Sequence, residues 1–165
     1  MTRSMIRRAA LAAFLAVMAS GAIAQSARPP VVYVVRHFDT PAGERDPDLT
    51  AVGAARAAAL VRWFAKKPLH AIYVTPFKRT AQTVAPLAAA RGLTPIVYGP
   101  APSADFLASL KTMREPILIV GHSNTVPDII AALGGTRPAP LAHPDFGDVW
   151  TIEGGRTTTA KIAPR

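Results

Sequence analysis

The chain contains no cysteine among its 165 residues. It therefore has no disulfide, no cysteine-linked lipid, no thiol nucleophile and no thiolate metal site. Acidic residues are also scarce, with 10 Asp and Glu against 19 Lys and Arg and a formal net charge of +9. The basic residues are scattered and form no stripe interleaved with aromatic residues, so nucleic-acid binding is not indicated. This charge distribution instead favours small anionic substrates.

The first residues show the pattern of a secretory signal peptide. Three arginines precede an apolar, alanine-rich stretch that ends in the small residues Ala22-Ile23-Ala24. We predict that residues 1–24 are removed on export to the periplasm and that residues 25–165 form a single domain. The apolar run is shorter than the ~20 residues that span a bilayer, which disfavours an uncleaved anchor and stable membrane insertion.

Apolar, β-branched runs alternate with alanine-rich amphipathic stretches along the rest of the chain. This alternation predicts an α/β fold, a three-layer sandwich with a mostly parallel sheet, helices on both faces and a C-terminal edge hairpin. The predicted strands are Pro30–Val35, Leu69–Val74, Leu93–Tyr98, Pro116–Gly121, Asp148–Glu153 and Thr157–Ile162. The predicted helices are Ala51–Lys66, Pro76–Arg91, Ser103–Met113 and a last one through Leu133.

Local signals set the predicted helix ends. Thr50 is expected to cap the first helix, and Thr75-Pro76 has the pattern of an N-cap followed by proline in the first turn. Gly92 is expected to end that second helix, and Pro86 inside it is expected to kink or shorten it. Thr125-x-x-Asp128 resembles a capping box at the start of the last helix.

Two histidines follow the ends of two buried strands. VVYVVRH runs from Val31 to His37, and PILIVGH runs from Pro116 to His122. Strand ends of this kind open into the ligand crevice of an α/β sheet, so we expect both imidazoles in one pocket. Arg36 precedes the first histidine. Arg79, in TPFKRTAQT, falls near a helix start, where free N–H groups add to its charge. Two guanidinium groups and two imidazoles together suit a phosphate.

Three motifs in this order carry a family resemblance. RHFDT at residues 36–40, TPFKR at residues 75–79 with Thr83 one turn on, and Gly121-His122 resemble the motifs of the histidine phosphatase superfamily, also called phosphoglycerate mutase-like. The resemblance extends over nearly all of residues 25–165. It implies a cofactor-independent phosphomonoester hydrolase that uses no metal and acts on a small phosphorylated substrate or binds inorganic phosphate.

The resemblance also implies a role for each site residue. His37 would attack phosphorus in line and form a phosphohistidine that water hydrolyses, with its other nitrogen held by a backbone carbonyl. Arg36, Arg79 and His122 would hold the phosphate, and a protonated His122 would give an acidic-to-neutral pH optimum. Phe38 stands where the family usually has a small residue, and its bulk is expected to narrow the pocket or re-aim His37.

An alkoxide leaving group needs a general acid, which many relatives place between the second and third motifs. Asp105 is the only acidic residue between Arg79 and Lys111 and is the predicted acid. Ser123 follows the second histidine, where another branch of the family has an aspartate acid. Some relatives that dephosphorylate phosphohistidine have no dedicated acid. The rival acids in the loop after the nucleophile are Asp39, Glu44, Asp46 and Asp48.

Other functions stay open at this point. The pocket could bind phosphate or a phosphorylated glycan without turnover, or the substrate could be protein phosphohistidine. A serine esterase is a further alternative, because residues 121–125 approach the G-x-S-x-G pattern around Ser123, with Asp128 and His143 following in the order of α/β hydrolases. His70 and His143 lack metal-ligand spacing to other residues, so no metal site is predicted.

Overall fold

Ten helices and strands follow one another in the computed structural model, which describes residues 30–164. The predicted signal peptide, residues 1–24, lies outside the described residues. In chain order the elements are β1 (Val31–Arg36), α1 (Ala51–Phe64), β2 (Ala71–Val74), α2 (Lys78–Arg91), β3 (Ile96–Val97), α3 (Ala104–Thr112), β4 (Ile117–Gly121), α4 (Val126–Ala132), β5 (Asp148–Glu153) and β6 (Arg156–Lys161). None of these helices has the length and apolar character that would let it cross a membrane.

The six strands form one sheet in the order β3-β2-β4-β1-β5-β6. The pairs β3–β2, β2–β4 and β4–β1 are parallel, whereas β1–β5 and β5–β6 are antiparallel. The predicted α/β fold, with a mostly parallel sheet and a C-terminal edge hairpin, is confirmed. Gly154 and Gly155, both with positive φ, make the turn of that hairpin.

Alternating residues of the central strands enter two hydrophobic clusters, as expected for a sheet buried on both faces. Tyr33 and Val35 of β1 belong to the first cluster, and Val32 and Val34 to the second. The first cluster also contains Leu60, Phe64, Val84 and Leu87 from α1 and α2, and the second contains Leu110, Ile129 and Ile130 from α3 and α4. Each fully buried side chain of this size stabilises the fold by about 1.5–3 kcal/mol, so the clusters hold the strand ends rigidly.

The register of β1 against β4 places the two histidines side by side. Arg36 pairs with Gly121 in this parallel ladder, and the backbone N–H of His37 donates to the carbonyl of Gly121 at 2.9 Å. His122 comes directly after Gly121. Both histidines therefore leave the carboxyl edge of the sheet at the same height, as the sequence predicts.

Two helix starts differ from the predictions. Helix α2 begins at Lys78, and the capping position belongs to Phe77 rather than Thr75. Thr125 occupies the capping position of α4, but its side chain makes no capping hydrogen bond, so the predicted capping box with Asp128 is wrong. In both cases the threonine hydroxyl instead bonds to a group of His122, which outweighs a local cap.

Other boundaries follow the local signals more closely. Thr50 caps α1 by accepting from the N–H of Gly53, and Gly92 ends α2 with φ of 62°. Pro86 does not shorten α2, because it faces solvent, where water can satisfy the carbonyl that loses its partner. The predicted strand Leu93–Tyr98 is reduced to Ile96–Val97, since only these residues pair with the neighbouring strand β2.

Candidate active site

Four side chains predicted from the sequence converge at the carboxyl edge of the sheet. The rings of His37 and His122 have centroids 5.4 Å apart, and Nη2 of Arg79 lies 3.3 Å from Nδ1 of His122. Phe146 lies between Arg36 and His37. Its ring centroid is 4.1 Å from the guanidinium carbon of Arg36 and 5.8 Å from the ring centroid of His37. Arg36, His37 and His122 are all buried. The structure thus brings two guanidinium groups and two imidazoles into one cluster.

His37 is held with one ring nitrogen bonded to the backbone. Its Nδ1 lies 2.9 Å from the carbonyl of Phe38, an atom that can only accept, so Nδ1 carries the hydrogen. Burial, aided by the charges of His122, Arg36 and Arg79 and opposed by the hydrogen bond to Phe38, lowers the pKa of His37 to about 3. The ring is therefore neutral at pH 7, and Nε2 keeps the lone pair that a nucleophile needs.

Phe38 does not narrow the pocket as expected. Its side chain is fully buried in the first hydrophobic cluster. Its backbone connects His37 to α2, because its N–H donates to Oγ1 of Thr83 at 2.9 Å. The Thr83 hydroxyl in turn donates to the carbonyl of Arg79 at 2.8 Å. Thr83 therefore joins the backbone beside the nucleophile to the backbone of the phosphate-binding candidate Arg79.

His122 contacts Arg79 on one side and a buried threonine on the other. A guanidinium cannot accept, so Nδ1 of His122 is the acceptor toward Arg79 and Nε2 carries the hydrogen that faces Oγ1 of Thr75 at 3.0 Å. Burial, together with the charges of Arg79 and Arg36 and against that of Asp46, lowers the pKa of His122 to about 4. His122 is therefore neutral in this arrangement, and its protonation beside a bound phosphate stays a prediction.

Arg79 lies in the first turn of α2, as the sequence predicts. Its Nη1 donates to the carbonyl of Arg45 at 3.1 Å and to Oδ1 of Asp46 at 3.2 Å. The same Asp46 oxygen accepts from the backbone N–H of Lys78, the first residue of the helix, at 3.1 Å. A carboxylate of this chain therefore already lies where a helix N-terminus and a guanidinium attract an anion. The Arg79 guanidinium carbon also lies 4.3 Å from the Phe77 ring centroid.

Arg36 is the most buried of the charged groups, with 5% of its surface exposed. Its Nη1 donates to the carbonyls of Ala142 at 2.5 Å and Asp145 at 3.2 Å. Its Nε is buried without a hydrogen-bond partner among residues 30–164. An unsatisfied buried donor costs about 1–3 kcal/mol, more for a charged group, so Nε is suited to an acceptor supplied by a ligand.

The structure does not bring Asp105 into this cluster. Asp105 is exposed in the first turn of α3, and within the described chain it forms no hydrogen bond or ion pair with the four site residues. Among the rival acids, Asp39 pairs with Arg56 at 2.7 Å and Asp48 with Lys78 at 3.2 Å. Asp46 is the acid in contact with a site residue, through Arg79.

The described residues do not assemble the catalytic triad that a serine esterase would need. Asp128 pairs with Arg137 at 2.5 Å on the surface. No hydrogen bond joins Ser123, Asp128 and His143 to one another in the part of the chain that the structure describes. His70 is exposed at the start of β2, and no group of three or more potential metal ligands occurs within residues 30–164.

Four site residues were missed by the sequence reasoning. Phe77 and Phe146 pack against His122 and His37, with centroid distances of 5.3 and 5.8 Å. Two threonines lie behind His122, Thr75 and the buried Thr80. Phe77 could have been suspected because it lies inside the TPFKR motif. Phe146 follows a proline-rich stretch far along the chain and carries no local signal.

Comparison with known proteins identifies a family match and related folds. Residues 32–100 match the family model of the histidine phosphatase superfamily (branch 1), a range that includes Arg36, His37 and Arg79 but not His122. Comparison with curated protein sequences found no match. The resemblance to the histidine phosphatase superfamily is thus confirmed by the family match and by the fold.

Several solved structures share the fold. The protein histidine phosphatase SixA complexed with tungstate is 20% identical with a TM-score of 0.60, over 81% of this chain and 97% of that chain. The alpha-ribazole phosphatase from Shigella flexneri is 15% identical with a TM-score of 0.59, over 81% and 96%. A mycobacterial glucosyl-3-phosphoglycerate phosphatase is 15% identical with a TM-score of 0.54, over 84% and 100%. These likenesses show the fold, and the family match over residues 32–100 supports phosphoester hydrolysis as the class of reaction.

Proposed function

We propose that this chain hydrolyses phosphomonoesters through a phosphohistidine formed on His37. The observation that carries the proposal is the 2.9 Å contact between Nδ1 of His37 and the Phe38 carbonyl, within a cluster that also holds Arg36, Arg79 and His122. It leaves Nε2 of His37 unprotonated beside Arg36 and Arg79, whose guanidinium groups can donate to phosphate oxygens, and His122 can donate as well once its Nδ1 is protonated.

The proposed reaction has two steps. Nε2 of His37 attacks phosphorus, a P–N bond forms, and the P–O bond to the leaving group breaks. Water then attacks phosphorus, the P–N bond breaks, and phosphate leaves with His37 neutral again. Arg36 and Arg79 offset the charge on the phosphoryl oxygens in both steps, which is the main requirement of phosphoryl transfer.

The surroundings of the cluster favour substrates with good leaving groups. No carboxyl group within residues 30–164 hydrogen-bonds to either histidine ring, and Asp46 is already bonded to Lys78 and Arg79. We therefore leave Asp105 out of the proposed mechanism. Aryl phosphates leave as stabilised anions, and a phosphohistidine can carry a proton on its leaving imidazole, so neither needs a strong general acid.

We propose that a cavity whose lining adjoins the cluster residues in sequence receives the leaving group. It has a volume of about 300 Å³. Its lining includes Ser123, which follows His122, and Leu141, which precedes the Ala142 that bonds to Arg36, whereas the four cluster residues do not line it. Its full lining is Ser123, Asn124, Pro127, Arg137, Pro138, Pro140 and Leu141.

Trapping of a labelled phosphoenzyme tests the proposal. The purified protein would be quenched in acid-free denaturant during turnover of a labelled aryl phosphate, because phosphohistidine is acid-labile. We expect label on the wild type and none on His37→Ala, with turnover lowered at least about 10³-fold in that variant. Exposed His70→Ala is the matched control and should label normally. Label that persists in a folded His37→Ala would contradict the proposal.

Phosphate binding without turnover is a second candidate function. It is favoured because Asp46 is already bonded to Lys78 and Arg79 and is not free to act as a general acid. On this alternative the protein would bind vanadate and phosphate but would not hydrolyse p-nitrophenyl phosphate at any pH from 4 to 8. Hydrolysis that depends on His37 would exclude it.

We also propose that the protein is exported. The support is the sequence of residues 1–24, with its basic start, apolar stretch and small residues before the cleavage point. Amino-terminal sequencing of the protein recovered from periplasmic and cytoplasmic fractions tests this, with a mature start at Gln25 as the expected result.

A further inference from the structure

Two buried threonines form a hydrogen-bonded row behind His122. Oγ1 of Thr75 lies 3.0 Å from Nε2 of His122 and 3.0 Å from Oγ1 of Thr80. Oγ1 of Thr80 lies 2.9 Å from the Thr75 carbonyl and 2.8 Å from the Phe77 carbonyl. Thr75 is 1% exposed and Thr80 0%, so protein groups rather than bulk water must satisfy these hydroxyls.

The direction of every hydrogen bond in this row follows from donor chemistry. The two carbonyls can only accept, so the single hydrogen of the Thr80 hydroxyl points toward them. Thr80 then has only lone pairs to offer Thr75, and Thr75 must donate to it. Having used its hydrogen, the Thr75 hydroxyl can only accept from His122.

The same result comes from the opposite side of the ring. Arg79 can only donate, and its Nη2 faces Nδ1 of His122 at 3.3 Å. The lone pair therefore lies on Nδ1 and the hydrogen on Nε2. Two independent sets of contacts thus assign the tautomer of His122 with the hydrogen on Nε2. In the tautomer with the hydrogen on Nδ1, a buried donor or acceptor would be left unpaired.

We propose that Thr75, supported by Thr80, is a positioning residue that fixes His122 with Nδ1 toward the phosphate site. The inference rests on the proposed function, because it assumes that the anion binds beside Arg79. An oxygen inserted between Arg79 and His122 would accept from both, once Nδ1 is protonated. Thr75 accepts from Nε2–H in the neutral and in the protonated ring, so it holds the ring in one orientation before and after the anion binds.

The arrangement also explains why Thr75 does not cap α2. Its hydroxyl has one hydrogen, which goes to Thr80, and its lone pair goes to His122. A capping role would require it to accept from the first helical N–H groups, but Asp46 accepts from Lys78 instead. The cap is therefore supplied from another loop, and the threonine is free to serve His122.

Nitrogen NMR of the full chain with labelled histidine gives a direct readout. The chain has four histidines, and the His122 signals are assigned by comparison with the His122→Gln variant. In the wild type near pH 7 we expect the pattern of a hydrogen fixed on Nε2. In Thr75→Val we expect averaging of the two tautomers, and in Thr75→Ser the wild-type pattern.

Binding and turnover provide the second readout. Thr75→Val should weaken vanadate binding about 3- to 10-fold and lower kcat about 10- to 100-fold, with a smaller change in KM. Thr75→Ser should restore each value to within about threefold of the wild type. Thr80→Val, which leaves Thr75 without its acceptor, should change both readouts in the same direction but less. Thr112→Val, an exposed helix threonine, is the control and should change neither.

The outcomes separate this inference from the proposed function. An unchanged His122 tautomer and unchanged vanadate binding in folded Thr75→Val would overturn it. If Thr75→Val does not fold, the same unchanged readouts in Thr80→Val would overturn it. A wild type without turnover whose His122 tautomer depends on Thr75 would refute hydrolysis but leave the positioning role standing.

Discussion

Oδ1 of Asp46 lies 3.2 Å from Nη1 of Arg79, so a carboxylate of the loop that follows the nucleophile is paired with a guanidinium of the phosphate cluster. The Asp46 side chain is 32% exposed and that of Arg79 is 15% exposed. The pair therefore remains accessible to ions from solvent. An anion that binds Arg79 must share it with Asp46 or displace it.

Removal of this internal charge should strengthen binding of an external anion. We expect Asp46→Asn to bind vanadate about 3- to 10-fold more tightly, because a negative charge near the cluster is lost while Arg79 keeps its own charge. Isothermal titration measures the change. Asp105→Asn, an exposed acid without contacts to the site, should bind as the wild type does. Weaker binding in Asp46→Asn would instead show that Asp46 serves mainly to orient Arg79.

Acid should destabilise the protein through its two buried histidines. The folded pKa values of about 3 for His37 and about 4 for His122 lie below the ordinary value of 6.5, because burial disfavours the charged rings. Between the folded pKa values and 6.5, the unfolded chain binds protons that the folded chain does not. The free energy of unfolding is therefore at its full value above about pH 6.5 and falls as the pH decreases below it. Each ring should contribute roughly 1 kcal/mol per pH unit, or less because the two are coupled.

Urea unfolding from pH 7.5 to 4.5 measures this dependence. His122→Gln should show a shallower loss of unfolding free energy toward acid than the wild type. His70→Ala, which removes an exposed histidine, should keep the wild-type slope. Equal slopes in all three proteins would mean that other groups govern acid unfolding.

The hydroxyl of Thr83 should be needed for both stability and activity. Thr83→Val leaves the N–H of Phe38 without its buried partner, at a cost of about 1–3 kcal/mol, and removes the second hydrogen bond to the Arg79 carbonyl. We expect a lower Tm and a lower kcat, since the Phe38 carbonyl holds His37. Thr83→Ser should recover most of both, whereas a Tm loss with unchanged kcat would limit Thr83 to a structural role.

Gly53 permits the close approach of α1 to the loop after His37. A Cβ at this position would lie 2.4 Å from the Asp39 carbonyl oxygen and 3.0 Å from the Asp39 nitrogen. Because both are backbone atoms, Gly53→Ala should displace the loop or the helix and destabilise the fold by about 1–3 kcal/mol. Thermal unfolding tests this, with Ala54→Ser, one exposed position further on, as the control. A Tm within about 1 °C of the wild type would show that the loop can move freely.

Much of the site could be predicted because its backbone lies in buried strands. The runs that end at His37 and His122 are apolar and β-branched, and such runs mark strands whose ends meet at one sheet edge. Arg79 lies in the first turn of α2 as predicted, although that helix begins at Lys78 rather than at Pro76. These three positions depend on short segments of chain, so the sequence was sufficient.

The supporting contacts could not be predicted, because they join distant segments. Thr75 has the local pattern of an N-cap, and only its contact with His122, 47 positions away, shows its use. Asp105 was selected by its place between two motifs, yet α3 packs into the second cluster through Leu110 and Phe106 and leaves Asp105 in solvent. Phe38 was expected in the pocket because it follows the nucleophile, although its ring turns into the core.

The pairing of Arg36 with Gly121 has a consequence for how the protein folds. Side chains alternate between the two faces of a strand, so displacing β1 by one residue would exchange the contents of both hydrophobic clusters and turn His37 away from His122. Misaligned chains would thus be both unstable and unable to bind oxyanions. Recovery of vanadate affinity after dilution from urea should therefore report correct alignment of the central strands, in a protein that has no disulfide to enforce it.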